Sequence, residues 1–193
     1  MARKTPPLFL RVKPTHFLRG AKTVLRPVEA GDLHFLQTLR NDVALQMQLM
    51  AQPRPNPLPR VRGWLARFAA NPDAVLLLIA AARGGRPLGF VQLAALDPLH
   101  GTADLGICLA EAARGRGHAA EALQLLENYA SDVFHLRKLL LRVLAENTRA
   151  IALYHAAGYR TVGVLQRHFY QRQAFKDVVL MEKFLAGAAT PNP

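Results

Sequence analysis

A single cysteine, Cys108, stands among 193 residues. That excludes an intrachain disulfide and any cysteine-built metal cluster, and it points to a reducing, intracellular setting. No apolar run is longer than the nine residues from Ala74 to Ala82, far short of the ~20 that a membrane-spanning helix needs. Acidic residues are absent before Glu29, whereas seven Lys or Arg fall in that stretch. The first residues lack the charged, apolar and small-residue order of a secretory signal, and their prolines and missing serines argue against a mitochondrial presequence. A cytoplasmic location with no membrane attachment is expected.

What is present is globular: 51% hydrophobic and 20% charged residues, enough for one ordinary domain with a full core. The net charge of +12 is unevenly spread, since from Glu29 onward 18 basic and 13 acidic residues remain. A basic chain suits nucleic acid through phosphate neutralisation and suits a phosphate-bearing cofactor equally well. Residues 1–21, with Pro6, Pro7 and Pro14, read as a basic arm, residues 22–185 as the body, and residues 186–193 as a small-residue tail.

Within the body, Thr23 to Arg26 alternates as a strand, and Gly31-Asp32 starts an amphipathic helix through Leu33, Leu36 and Leu39. Prolines on alternate residues make Ala51 to Pro59 an extended loop, and a second helix fits Val61 to Ala70. Strands fit Ala74–Ala82, Pro87–Leu96 and Thr102–Ala110, with a hairpin signal at Gly84-Gly85. A helix from Gly117 to Phe134, a strand at Lys138–Ala145 and a helix from Asn147 to Ala157 follow, the last closed by Gly158. Strands at Tyr159–Tyr170 and Ala174–Phe184 finish the chain. The order predicts an α+β fold, an α/β sandwich with a mixed sheet of about seven strands flanked by four helices, not a Rossmann alternation. Exposed edges and the final hairpin leave room for a homodimer.

Two stretches carry chemistry. In Arg114-Gly115-Arg116-Gly117-His118-Ala119, glycines at a helix start let main-chain N–H groups approach an anion, and the arginines add charge. Alone, the run also reads as an exposed basic turn. In Asn147 to Tyr159, Ile151, Tyr154 and Gly158 share a helix face, so Tyr154 alone also reads as a core aromatic.

Together, in this order, the two stretches resemble the GNAT N-acetyltransferases. Arg114 to Ala119 resembles that family's Arg/Gln-x-x-Gly-x-Gly/Ala loop, and Asn147 to Tyr159 its Asn-x-x-Ala-x-x-Leu-Tyr-x-x-x-Gly-Phe/Tyr segment. The front, Phe17 to Leu33 followed by Arg40-Asn41-Asp42, and the back, Gly163 to Arg167 and Lys176 to Met181, resemble the branch of ribosomal-protein N-terminal, polyamine and amino-sugar acetyltransferases. The resemblance implies a mostly antiparallel sheet and acetyl-CoA as cosubstrate, without a metal. It places the phosphates on Arg114, Gly115, Arg116, Gly117, His118 and Ala119. It places pantetheine along Ile107, Cys108 and Leu109, with help from Asn147, and makes Tyr154 the acid that protonates the leaving thiolate.

An alkylamine near pKa 10 is only about one part in a thousand free base at pH 7, so a base or desolvation must help. Asp104 is the first candidate, on one face of its strand with Gly106 and Cys108; it also reads as a solvated or capping carboxylate. Glu146 and Glu121 are weaker candidates, the latter more structural. Cys108 reads as a small buried residue, His118 as pointing to solvent, and His155 and His168 as surface or cleft residues. Net positive charge disfavours a polyamine acceptor, so a protein N-terminus, a ribosomal one included, or a neutral or anionic amine fits better. The alternative is a catalytically idle module of the same fold that binds acetyl-CoA, or ribosome or RNA through its basic arm.

Overall fold

The computed structural model describes residues 18–185, so most of the expected arm and the whole expected tail lie outside the described residues. Eight strands form one sheet: β1 (Leu18–Arg19), β2 (Thr23–Arg26), β3 (Val75–Ala81), β4 (Pro87–Asp97), β5 (Thr102–Leu109), β6 (Lys138–Leu144), β7 (Arg160–Gln171) and β8 (Ala174–Phe184). Their spatial order is β1-β2-β3-β4-β5-β6-β8-β7. Five helices cover the sheet: α1 (Leu33–Asn41), α2 (Val43–Gln48), α3 (Leu58–Ala70), α4 (His118–Phe134) and α5 (Thr148–Ala156). No helix among the described residues is long and apolar enough to cross a membrane.

The α+β architecture agrees with the sequence reading, and the differences are local. An eighth strand exists because Leu18 and Arg19 pair with Leu25 and Val24, and the Gly20 N–H closes the turn on Thr23 O at 2.8 Å. These residues therefore belong to the sheet and not to the arm. A fifth helix exists because Asp42, just past α1, accepts the Leu45 N–H at 2.9 Å and caps α2. The third helix starts at Leu58 and not at Val61, because Pro59 lies in the first turn, where no backbone N–H is required. Before α1, buried Asp32 accepts both Arg26 Nη atoms at 2.8 Å and the Glu29 N–H at 2.8 Å, which fixes the entry of the helix.

Strand alternation sends side chains into two cores. Leu25, Ile79, Val91, Leu105, Leu139 and Leu141 pack with Leu123 and Leu126 of α4 and with Tyr154 of α5. On the opposite face, Leu78, Phe90 and Cys108 pack with Leu36, Leu39, Val61 and Trp64 of α1 and α3. Both layers bury apolar surface at roughly 25 cal/mol per Å².

All neighbouring strands are antiparallel except β5 and β6. That parallel pair holds for three residues, Thr102, Ala103 and Asp104 against Lys138, Leu139 and Leu140. Beyond it, β5 stays with β4 to Leu109 and β6 stays with β8 to Leu144, so a gap opens inside the sheet. The β4–β5 side of the gap depends on Gly89, opposite Leu109, where an added Cβ would collide with the Cys108 carbonyl oxygen. Gly89→Ala is expected to destabilise the fold by about 2 kcal/mol, read as a lowered Tm in thermal unfolding; an unchanged Tm would contradict this packing.

Candidate active site

The gap widens into a cleft of about 880 Å³ that reaches both faces of the sheet. On one bank, the Ala110 N–H bonds Leu88 O at 2.9 Å. The two-residue alternation of a strand then turns the N–H groups of Cys108 and Gly106 toward β4, and those of Ile107 and Leu109 toward the gap. Ile107 and Leu109 are therefore the expected strand residues whose main chain is open to a ligand. The Cys108 side chain lies in the second core beside Trp64 and Phe90, 2% exposed. Burial pushes its thiol up to about 12, with the Asp42 charge adding to the rise against Arg114. A thiol so protonated is a packing group and no nucleophile.

At one end of the cleft, β5 runs through a short turn into the loop ahead of α4. Gly115 and Gly117 both have left-handed backbones, φ 75° and 83°, which places the free N–H groups of the first turn of α4 at the cleft. Arg114, Gly115, Gly117 and Ala119 line the cleft. Arg114 Nε donates to Leu109 O at 3.2 Å, tying the loop to the open strand. Arg116 is exposed. His118 does not point to solvent as expected, since its Nδ1 lies 3.2 Å from the Thr23 hydroxyl.

Two cations missed in the sequence stand here. A Cβ on Gly117 would lie 3.2 Å from Lys22 Nζ, and one on Gly115 would lie 3.4 Å from an Arg149 guanidinium nitrogen. Lys22 is held by its main chain, because Glu121 accepts the Ala21 N–H at 2.8 Å and the Lys22 N–H at 2.9 Å. Burial works to raise the Glu121 carboxyl, but hydrogen bonds from the Lys22 N–H, from Thr23 and from the Ala21 N–H outweigh it and leave it lowered. Glu121 is thus structural. Arg149 sits in the first turn of α5, two residues beyond Asn147; that spacing was a signal only once the two loops were known to meet. Free N–H groups at a helix start, with Lys22, Arg114 and Arg149 around them, suit the phosphates of acetyl-CoA.

Across the gap, Asn147 Oδ1 accepts the Ala150 N–H at 3.2 Å and caps α5, which leaves its amide nitrogen to offer the cleft. Tyr154, about two turns further along the helix, is 6% exposed and stacks edge-on against Tyr159 at 5.7 Å. Burial pushes its phenol up to about 12, so it stays protonated at neutral pH. Asp104, at the point where the strands part, lines the cleft and is exposed. Glu146 is taken up by Lys176 Nζ at 2.6 Å and Gln171 Nε2 at 3.2 Å, and His155 and His168 lie exposed on the surface. Among the described residues no group of three His, Cys, Asp or Glu is placed to hold a metal ion.

The far end of the cleft lies under α1–α3. Arg40, with its carbon Cζ 4.4 Å from the Trp64 ring centroid, and Phe68 and Phe90 wall it, with Gln46 and Gln48 beside them. None of these was singled out as a site residue, because they are spread over α1, α2, α3 and β4 and no local pattern joins them.

Residues 22–160 match the Acetyltransferase (GNAT) domain family. Spermidine N(1)-acetyltransferase of Vibrio cholerae is 24% identical over 170 residues, covering 86% of this chain and 97% of that protein. Ribosomal-protein-serine acetyltransferase of Escherichia coli is 24% identical over 98 residues, 51% of this chain and 55% of that protein. The crystal structure of the Vibrio cholerae spermidine N-acetyltransferase with CoA and spermine superposes with a TM-score of 0.81 at 22% identity, covering 89% of this chain and 100% of that one. A sheet parted between β5 and β6, with a glycine loop on one bank and Tyr154 on the other, is accordingly the acetyl-transfer frame of a known family: the chain belongs to the GNAT acetyltransferases, as an acetyl-CoA-dependent enzyme that acetylates an amine.

Proposed function

We propose that the acceptor is the primary amine of a small molecule, that Asp104 takes its proton through a water, and that Tyr154 hydrogen-bonds the leaving sulfur. The observation that carries this reading is the cleft itself. One continuous space joins the loop before α4, the open main chain of Ile107 and Leu109, Tyr154, Asp104 and the aromatic wall under α1–α3. Cosubstrate and acceptor can enter from its two ends and meet in the gap, which favours direct transfer. A full-length likeness to an enzyme named for spermidine, against half-length likeness to one named for a ribosomal protein, supports a small molecule over a protein N-terminus.

In the step itself the amine nitrogen, relieved of one proton, attacks the thioester carbon, and the C–S bond breaks. The N–H groups of Ile107 and Leu109 face the place where the carbonyl oxygen gains charge; such donors contribute about 3 kcal/mol each. Tyr154, with its phenol near 12, holds its proton until the sulfur departs. The same dry surroundings that raise the phenol also raise the basicity of the departing thiolate, so Tyr154 gives its proton to the sulfur as the C–S bond breaks and is reprotonated by the nitrogen of the adduct. The net release is one proton, which Asp104 passes to solvent. Loss of such an acid lowers rates by about 10² to 10⁴.

Tyr154→Phe is therefore expected to reduce kcat by about 10² or more while acetyl-CoA affinity, measured by calorimetry, changes little; equal loss of both would remove the role. For the loop, Gly117→Val places a β-branched residue at φ 83° against Lys22 and is expected to abolish acetyl-CoA binding. Retained affinity in a folded variant would show that the phosphates bind elsewhere.

A further inference from the structure

The charges of the cleft are lopsided. Its charged lining consists of Arg40, Arg114, Arg142, Arg149 and a single carboxylate, Asp104. Arg114 and Arg149 stand at the loop before α4, where phosphates are accounted for. Arg40 and Arg142 do not. On β6, Leu139, Leu141 and Val143 enter the core under α4 and α5, so the intervening Arg142 points to the other face. Asp104 pairs with Leu140 and shares that face, over which α1 and Arg40 also lie.

Arg40 is held as if for a ligand. Its guanidinium is stacked on Trp64 at 4.4 Å, and its Nε faces Asn56 Oδ1 at 3.4 Å. Among the described residues it has no carboxylate partner within ion-pair distance. Burial, with the charges of Arg60 and Arg67 behind it, lowers its affinity for its own proton. A half-buried guanidinium fixed on an aromatic plane and surrounded by other cations is stabilised by an incoming anion and opposed by an incoming cation.

We propose that the amine acceptor carries an anionic group, a carboxylate or a phosphate ester, and that Arg40 reads this group while Asp104 faces the amine. The inference rests on the acetylation of a small amine argued above and names its substrate class. One carboxylate, with two guanidinium groups, those of Arg40 and Arg142, that have no carboxylate partner among the described residues, complements a molecule with an amine at one end and an anionic group at the other. A polyamine, the acceptor in the name of the Vibrio cholerae relative, would meet a single carboxylate and bring its remaining ammonium groups toward Arg40 and Arg142.

The test is CoA release by the full chain on acceptor pairs that differ only in the anion. These are an ω-amino acid against its amide, and an aminoalkyl phosphate against the aminoalkyl alcohol, with spermidine as the polycation. The anionic member of at least one pair is expected to show a kcat/KM about tenfold higher or more, and the two pairs distinguish carboxylate from phosphate. In Arg40→Gln the ratio is expected to collapse through KM for the anionic member, and Arg40→Lys to restore part of it; acetyl-CoA affinity checks that both fold. Should Arg40→Gln not fold, the wild-type ratios decide. Spermidine or the neutral amines turned over as well as the anionic ones, or an unaltered ratio in Arg40→Gln, overturns the inference alone. Acetyl-CoA binding with turnover of no amine overturns the acetylation reading and the inference with it.

Discussion

Everything at the site depends on how briefly β5 and β6 agree. Three paired residues hold the two strands parallel, and from Leu105 and Leu141 onward each is committed to its other neighbour. The separation leaves main-chain groups in the middle of a sheet without their usual partners, a state that is unfavourable wherever water is also excluded. An extended amide-bearing chain laid along Ile107 and Leu109 would supply those partners, as a strand added to an edge does. The two cores on either side, with Leu105 and Leu141 on one and Phe90 and Cys108 on the other, keep the banks from closing.

Charge then sorts the two ends. At the α4 end, cations from the turn before β2, the loop and α5 gather around free N–H groups, and the carboxylate of Glu121 keeps the Lys22 turn in place through main-chain bonds without neutralising the lysine side chain. Two glycines with positive φ make this approach possible, since a side chain at either would occupy the space where Lys22 and Arg149 converge. At the α1–α3 end, an aromatic wall and a stacked arginine replace the glycines. The strongly basic start of the chain contributes Lys22 to the site, which explains part of its local charge in terms of a small ligand.

Legibility followed the range of each interaction. Strands β2 to β8 and helices α1, α3, α4 and α5 announced themselves through apolar periods, Gly-Gly and Gly turns, and proline stops, all contained in a few neighbouring residues. β1 and α2 did not, because two and six residues are too few for a period to register, and both owe their existence to partners: Leu25 and Val24 in one case, the Asp42 cap in the other. The loop at Gly115 and Gly117 and the Asn147–Tyr154 segment were readable for the same reason, being local motifs. Lys22, Arg149 and Arg40 reach the cleft only through tertiary placement, and the turn of His118 toward Thr23 depends on a strand 95 residues away. The placement of Asp104 at the parting of the strands agrees with its expected face, whereas Glu146 and Glu121 proved to be occupied by neighbours that the sequence could not rank.

The loop between α2 and α3 has its own lesson. Asn56, 4% exposed, exchanges five hydrogen bonds with Gln37, Arg40 and Asn41 of α1. A wall riveted in this manner cannot swing without breaking buried polar contacts that have no replacement. The α1–α3 end of the cleft is therefore a doorway whose width is already set, and a molecule that enters there meets a rigid template at first encounter.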